Sequence, residues 1–116
     1  MSLPVSDIEK SKAFYTQALK PLGYTIAMEF PGAVGMGVKG EPDFWLVPGK
    51  TSEGLHIAFE AESRALVDAF YEAAMAAGAK DNGGPGLRPH YHENYYGAFI
   101  LDRDGHNMEA VCHRPE

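Results

Sequence analysis

The chain has 116 residues, 45% hydrophobic and 22% charged, which suits one globular domain long enough to bury a core unaided. Ten Lys+Arg against 16 Asp+Glu leave a net charge of −6; with no basic run, this excludes the electrostatic footprint of a nucleic-acid binder and points to a small-molecule partner. A single cysteine excludes an internal disulfide, no apolar stretch of about 18 residues is present to span a membrane, and no charged-then-apolar leader opens the chain, so a cytoplasmic protein is expected.

Residues 3–5 end a short strand. Ser6 and Glu9 then have capping-box spacing, and Asp7 adds negative charge to the first turn of a helix. Ser11, Phe14, Tyr15, Ala18, Leu19 and Leu22 share its apolar face, and Pro21 and Gly23 stop it. Strands are predicted over 24–30, 34–39 and 43–47, with Pro31-Gly32 and Pro48-Gly49 at the corners. Residues 55–60 alternate, Leu55, Ile57 and Phe59 against His56, Ala58 and Glu60. A second helix is predicted over 63–77, with Leu66, Val67, Phe70, Ala73, Ala74 and Ala77 on its apolar face and Gly78 as its cap. A short strand near Ala79-Lys80 and a loop over 81–94 follow. The chain closes with a strand over 95–101, a tight turn at Asp104-Gly105 and a last strand over 106–112.

The order strand, helix, three strands thus occurs twice, in units of about 1–49 and 54–113. Phe14-Tyr15 recurs as Phe70-Tyr71 after 56 residues. Leu22-Gly23-Tyr24 recurs as Ala77-Gly78-Ala79 after 55. Three consecutive strands after each helix favour antiparallel connections over a doubly wound sheet. The expectation is a single α+β domain of two fused βαβββ units.

Several side chains stand out. His56 lies opposite the apolar face of its strand. Glu109 sits in the apolar run Met108-Glu109-Ala110-Val111, where an unpaired buried charge is costly. His90-Tyr91-His92 sets two imidazoles two residues apart in a loop rich in Gly and Pro, a possible lid from which Arg88 meets an anionic group. Tyr95 and Tyr96 face opposite sides of a strand; one donates a hydrogen bond to a ligand and the other packs, and Tyr96 is assigned to the ligand side. Trp45 and Phe44 divide in the same way, with Trp45 as an aromatic wall for a planar or apolar substrate. His106, beside the tight turn, is expected to be exposed, and Cys112 to be inert packing.

Residues 5–15 (VSDIEKSKAFY), 55–59 (LHIAF) and 99–109 (FILDRDGHNME) together resemble the vicinal oxygen chelate superfamily, which holds glyoxalases, bleomycin resistance proteins and extradiol dioxygenases. The resemblance covers nearly the whole chain. It implies that the units curl into a cup with a helix outside each half, that the cup holds a divalent metal chelated by the substrate, and that the protein is a homodimer. His56 then matches the fifth-strand ligand, and Glu109 the last-strand ligand and general base, a pair suited to Zn, Ni, Mn or Fe. The first-strand ligand would fall 56 residues before His56, ahead of Met1, and the fourth-strand position falls near Trp45 or Leu46, neither a metal ligand. Two ligands are fewer than a catalytic ion usually has. Three explanations follow: a ligand upstream of Met1, completion of the site by His90, His92 or His106, or a cup that binds no metal. The implied activities are a glyoxalase-type lyase on a small oxygenated substrate, with Glu109 catalytic and Trp45, Arg88 and Tyr96 binding substrate; a metal-free binding or resistance protein; and, less favoured, an extradiol-type dioxygenase. No set of residues marks glutathione specificity.

Overall fold

The computed structural model describes residues 2–49, 54–91 and 93–115. Strand β1 (Ser2–Val5) buries Leu3 and Val5 and leads into helix α1 (Ile8–Ala18). The N-cap is Asp7, whose carboxylate accepts the Lys10 N–H at 3.0 Å, the usual cap-to-N3 bond. The expected capping box from Ser6 is therefore corrected by one residue. Ser6 is used elsewhere: its N–H donates to the Asp104 carboxylate at 3.3 Å. A 3-10 turn (Lys20–Leu22) carrying Pro21 follows, ended by Gly23 at φ 85°. Strands β2 (Thr25–Phe30), β3 (Ala33–Val38) and β4 (Glu41–Pro48) are antiparallel neighbours, and β1 lies parallel to β4, giving the order β1-β4-β3-β2.

The second unit repeats the plan. Strand β5 (His56–Glu60) leads to helix α2 (Arg64–Ala76), capped by Ser63, whose Oγ accepts the Leu66 N–H at 3.2 Å. Strands β6 (Lys80–Asp81), β8 (Tyr96–Leu101) and β9 (Asn107–Cys112) complete the order β5-β9-β8-β6, and β7 (Gly86–Leu87) also pairs with β8. The expected 81–94 loop thus contains a short strand. The two N-caps, Asp7 and Ser63, stand 56 residues apart (63 minus 7), as do Phe14 and Phe70, which are both buried. The α+β architecture of two βαβββ units is present, and both sheets are open. Among the described residues no helix is long and apolar enough to cross a membrane.

One continuous core joins the units. The helices pack on each other and on one face of the sheets. Edge-on aromatic contacts run from Phe14 to Tyr15 (4.8 Å), Tyr15 to Phe44 (5.2 Å) and Phe44 to Phe59 (5.3 Å), with Tyr24 against Phe59 as well. This geometry favours aromatic pairs beyond their area burial. Since Phe44 of β4 and Phe59 of β5 touch, the core faces of the two sheets meet. Their opposite faces, which carry Trp45 on one sheet and Glu109 on the other, are turned away from that core.

The turn between β8 and β9 ties the units together. His106 is fully buried, not exposed as its place beside the turn implied. Its Nδ1 accepts the Leu55 N–H at 2.9 Å, and its Nε2 lies 2.9 Å from the Pro4 carbonyl. An amide can only donate and a carbonyl can only accept, so the proton sits on Nε2. Asp102 accepts the amides of Asp104 and His106 at 2.9 Å each, and the Tyr15 hydroxyl. Burial and the neighbouring Asp102 hold the Tyr15 phenol well above its ordinary pKa.

Candidate functional site

Parallel pairing of β5 and β9 sets His56 beside Asn107 and Ala58 beside Glu109. Ile57, Phe59, Met108 and Ala110 take the core face, so period-2 alternation sends His56 and Glu109 to the other face. There His56 Nε2 meets Glu109 Oε1 at 2.8 Å. The Glu109 side chain is 1% exposed and that of His56 is 55% exposed. Glu109 is thus a buried carboxylate reached from solvent through a half-open imidazole. Its second oxygen, Oε2, accepts the Tyr95 hydroxyl. Both oxygens are hydrogen-bonded, as a buried carboxylate requires. Phe99 lies opposite Glu109 on β8, with its ring 6.3 Å from the His56 ring.

This donor set fits part of a metal site. A nitrogen and an oxygen 2.8 Å apart can share one ion bound at about 2.0–2.1 Å to each. They are borderline-to-hard donors of the kind that Zn, Ni, Mn and Fe accept. On the first unit, Trp45 takes the place that Glu109 takes on the second. Trp45 pairs with Ser2 as Glu109 pairs with Ala58, and Ser2 and Ala58 are separated by the same 56 residues. Of the two positions the sequence offered for the fourth strand, Leu46 is a core residue and Trp45 is the equivalent one. The Trp45 indole lies flat over Gly35, where a Cβ would come within 2.8 Å of the ring, and stacks on Phe30 at an interplanar angle of 13°.

The remaining sequence-derived residues divide as follows. Tyr96 does not join the site. Its hydroxyl donates to Asp68 of α2 at 2.7 Å, which raises the phenol pKa, and Arg64 lies over its ring. Tyr95, one residue earlier, is the tyrosine whose hydroxyl reaches Glu109, because alternation puts neighbours on opposite faces. Arg88 is spent on backbone: its guanidinium donates to the carbonyls of Gly84 (2.8 Å), Gly86 (2.6 Å) and Gly97 (3.1 Å) and lies over Phe99. It ties the 84–88 turn to β8 and is not a free anion clamp. His90 packs against Tyr91 at 4.3 Å, and Tyr91 against Tyr95 at 5.1 Å; His92 lies outside the described residues. His106 is removed from the ligand candidates by its two backbone bonds. Asp102, Asp104 and His106 do bring ligand-type atoms within 4.8 Å of one another, but these atoms already hold Tyr15, Ser6, Leu55 and Pro4. Two surface hollows, one lined by Lys10, Gln17 and Arg103 and the other by Lys80, Leu101 and Arg103, share no residue with the His56–Glu109 face.

The sequence left Tyr95 and Tyr96 as alternatives and the choice fell on Tyr96, though a signal for Tyr95 existed. Gly97 stands inside a strand, and a strand glycine often marks the close approach of another group. A Cβ there would stand 3.1 Å from the Tyr95 ring and 3.5 Å from Glu109 Oε2.

The paired βαβββ units agree with a known family fold. Residues 1–110 match the model of the Glyoxalase/Bleomycin resistance protein/Dioxygenase superfamily. The chain belongs to this superfamily. No curated protein matches it. Among solved structures, a glyoxalase/bleomycin resistance protein from Albidiferax ferrireducens T118 is 27% identical, with a TM-score of 0.81 over 98% of this chain and 95% of that one. The fosfomycin resistance protein FosX from Listeria monocytogenes is 20% identical, with a TM-score of 0.72 over 97% of this chain and 88% of that one. A glyoxalase-related enzyme from Fulvimarina pelagi is 19% identical, with a TM-score of 0.73 over 97% and 84%. The last two likenesses are likenesses of fold.

Proposed function

We propose that the chain binds a small oxygenated molecule over the His56–Glu109 pair and acts on it as a glyoxalase-type lyase or isomerase. The observation that carries this reading is the buried Glu109 carboxylate, 1% exposed, meeting the half-exposed His56 imidazole at 2.8 Å. Two ionisable groups held together beneath an open face are an acid–base site in form. His56 Nε2 and Glu109 Oε1 would hold a divalent ion, Zn, Ni, Mn or Fe. Such an ion, when bound, polarises neighbouring substrate oxygens. In this reading Glu109 would act as general base through Oε1 when that oxygen is not holding an ion, taking a proton from substrate carbon and returning it. Trp45 supplies an aromatic wall, and a homodimer brings it to the site. Contact of the two core faces within one chain leaves the Trp45 face and the His56–Glu109 face outermost, and in this reading the Trp45 face of one copy would cover the His56–Glu109 face of the other. Half-exposed Met28 and Phe30 beside Trp45 provide apolar area for that contact. The protein works in the cytoplasm in this reading.

The test is metal content and affinity of wild type against H56A and E109Q. About one ion per chain in wild type, lost in both variants, is expected; equal content in all three overturns the metal assignment. A second reading, metal-free binding of a planar ligand, draws on Trp45 in the equivalent ligand position and on Tyr95 occupying Glu109 Oε2. Ligand-induced thermal shifts that persist after chelation would select it.

A further inference from the structure

We propose that Tyr95 is the positioning residue of this site: its hydroxyl fixes Oε2 of Glu109, so that only Oε1 is presented to His56 and to the ion or ligand between them. The inference rests on the preceding reading of the His56–Glu109 pair and assigns it a third member.

Three features of the fold converge on this contact. Tyr95 immediately precedes β8, whose Tyr96 pairs with Cys112 and whose Phe99 pairs with Glu109. Its ring must therefore lie along the strand, over position 97, to reach the carboxylate. Position 97 is glycine, and a Cβ there would stand 3.1 Å from the Tyr95 ring, close enough that the ring must shift by a few tenths of an ångström. The ring is held from its sides as well, edge-on to Tyr91 at 5.1 Å and to His113 at 5.3 Å. A phenol held by two aromatic neighbours and laid over a glycine has little rotational freedom, so its hydrogen bond acts as a fixed stop. With one oxygen so tied, the carboxylate is oriented to bind through the other. Outer partners of this kind set ligand orientation, and their removal typically costs about 10–100-fold in metal affinity. Tyr95 acts through Glu109 and is not itself a catalytic residue.

The experiment compares wild type, Y95F, G97A and Y96F by two readouts. The first is the side-chain carboxyl 13C resonance of Glu109 in metal-free protein. The second is titration with Co²⁺ alone, followed by its visible absorption. Y95F is expected to move the Glu109 resonance, weaken Co²⁺ binding about 10–100-fold and change the band shape. G97A, which pushes the ring aside, should do the same to a smaller degree. Y96F, whose hydroxyl serves Asp68, should leave both readouts as in wild type. A Y95F protein with the wild-type Glu109 resonance, or with Co²⁺ affinity within twofold and an unchanged band, overturns the proposal. If H56A binds Co²⁺ as tightly as wild type, the metal reading fails separately, and Tyr95 is then judged on the carboxyl resonance alone.

Discussion

Replacing His106 with alanine should destabilise the fold severely without touching the candidate site. The imidazole is fully buried and bridges β1 of the first unit and the residue just before β5 of the second, through bonds of 2.9 Å to the Pro4 carbonyl and the Leu55 N–H. Alanine removes the bridge and leaves a donor and an acceptor unmatched, each costing about 1–3 kcal/mol. Both sites are part-buried, so water recovers some of this, while the vacated ring volume adds roughly 1 kcal/mol. A net loss of about 3–5 kcal/mol follows, a large share of the 5–15 kcal/mol that holds a typical domain. For a chain of this length that corresponds to a fall in Tm of about 10–20 °C. Urea unfolding followed by Trp45 fluorescence and by circular dichroism measures the loss, and 15N spectra of wild type should show the Nε2–H tautomer. A loss below about 1 kcal/mol, or the Nδ1–H tautomer, would refute the reasoning, because the two backbone bonds would then not depend on this ring.

Two further predictions concern the buried phenols and the thiol. Burial and the Asp102 and Asp43 carboxylates raise the phenols of Tyr15 and Tyr24, the latter to about 12. The fold thus favours the neutral form; that stability is complete below the ordinary phenol value near 10 and drains away as pH rises towards the folded values. Urea midpoints should be flat from pH 8 to about 9.5 and fall above pH 10, with a shallower fall in Y15F; equal slopes for Y15F and wild type would contradict the Tyr15 contribution. Cys112 is fully buried, so a thiol reagent should label it only as fast as the chain opens, and urea should accelerate labelling sharply. Rapid labelling of the native protein would show that β9 is not packed as described.

Much of the architecture was legible because it rests on local physics. The alternation of Ile57 and Phe59 reports which strand face meets the core. The helical spacing of Phe14, Ala18, Phe70 and Ala74 reports the helix faces, and all six of these residues are buried. His56 and Glu109 each stood out on its own strand, and the resemblance to the superfamily joined them as a pair. Their meeting needs the parallel register of β5 on β9, and no local signal contains that register.

Other assignments went astray where a contact from the distant end of the chain decided. The N-cap moved from Ser6 to Asp7 while the Ser6 amide went to Asp104, 98 residues away. His106 looked like an exposed turn residue, but Pro4 of β1 and Leu55, just before β5, converge on it. Tyr95 and Tyr96 were known to face opposite sides, yet their sequence is symmetric with respect to that choice. Only the position of α2, which supplies Asp68 to Tyr96, and the open space above Gly97 fix which one reaches Glu109.

The sequence by itself thus determined the element order, the tandem repeat and the faces of its strands and helices, because period and punctuation are properties of neighbouring residues. The tertiary structure alone decided that the two core faces meet, that the 102–106 turn locks the units together, and that Tyr95 holds Glu109. Each of these depends on groups far apart in the chain, whose approach is set by the packing of the whole core and not by the propensity of any segment.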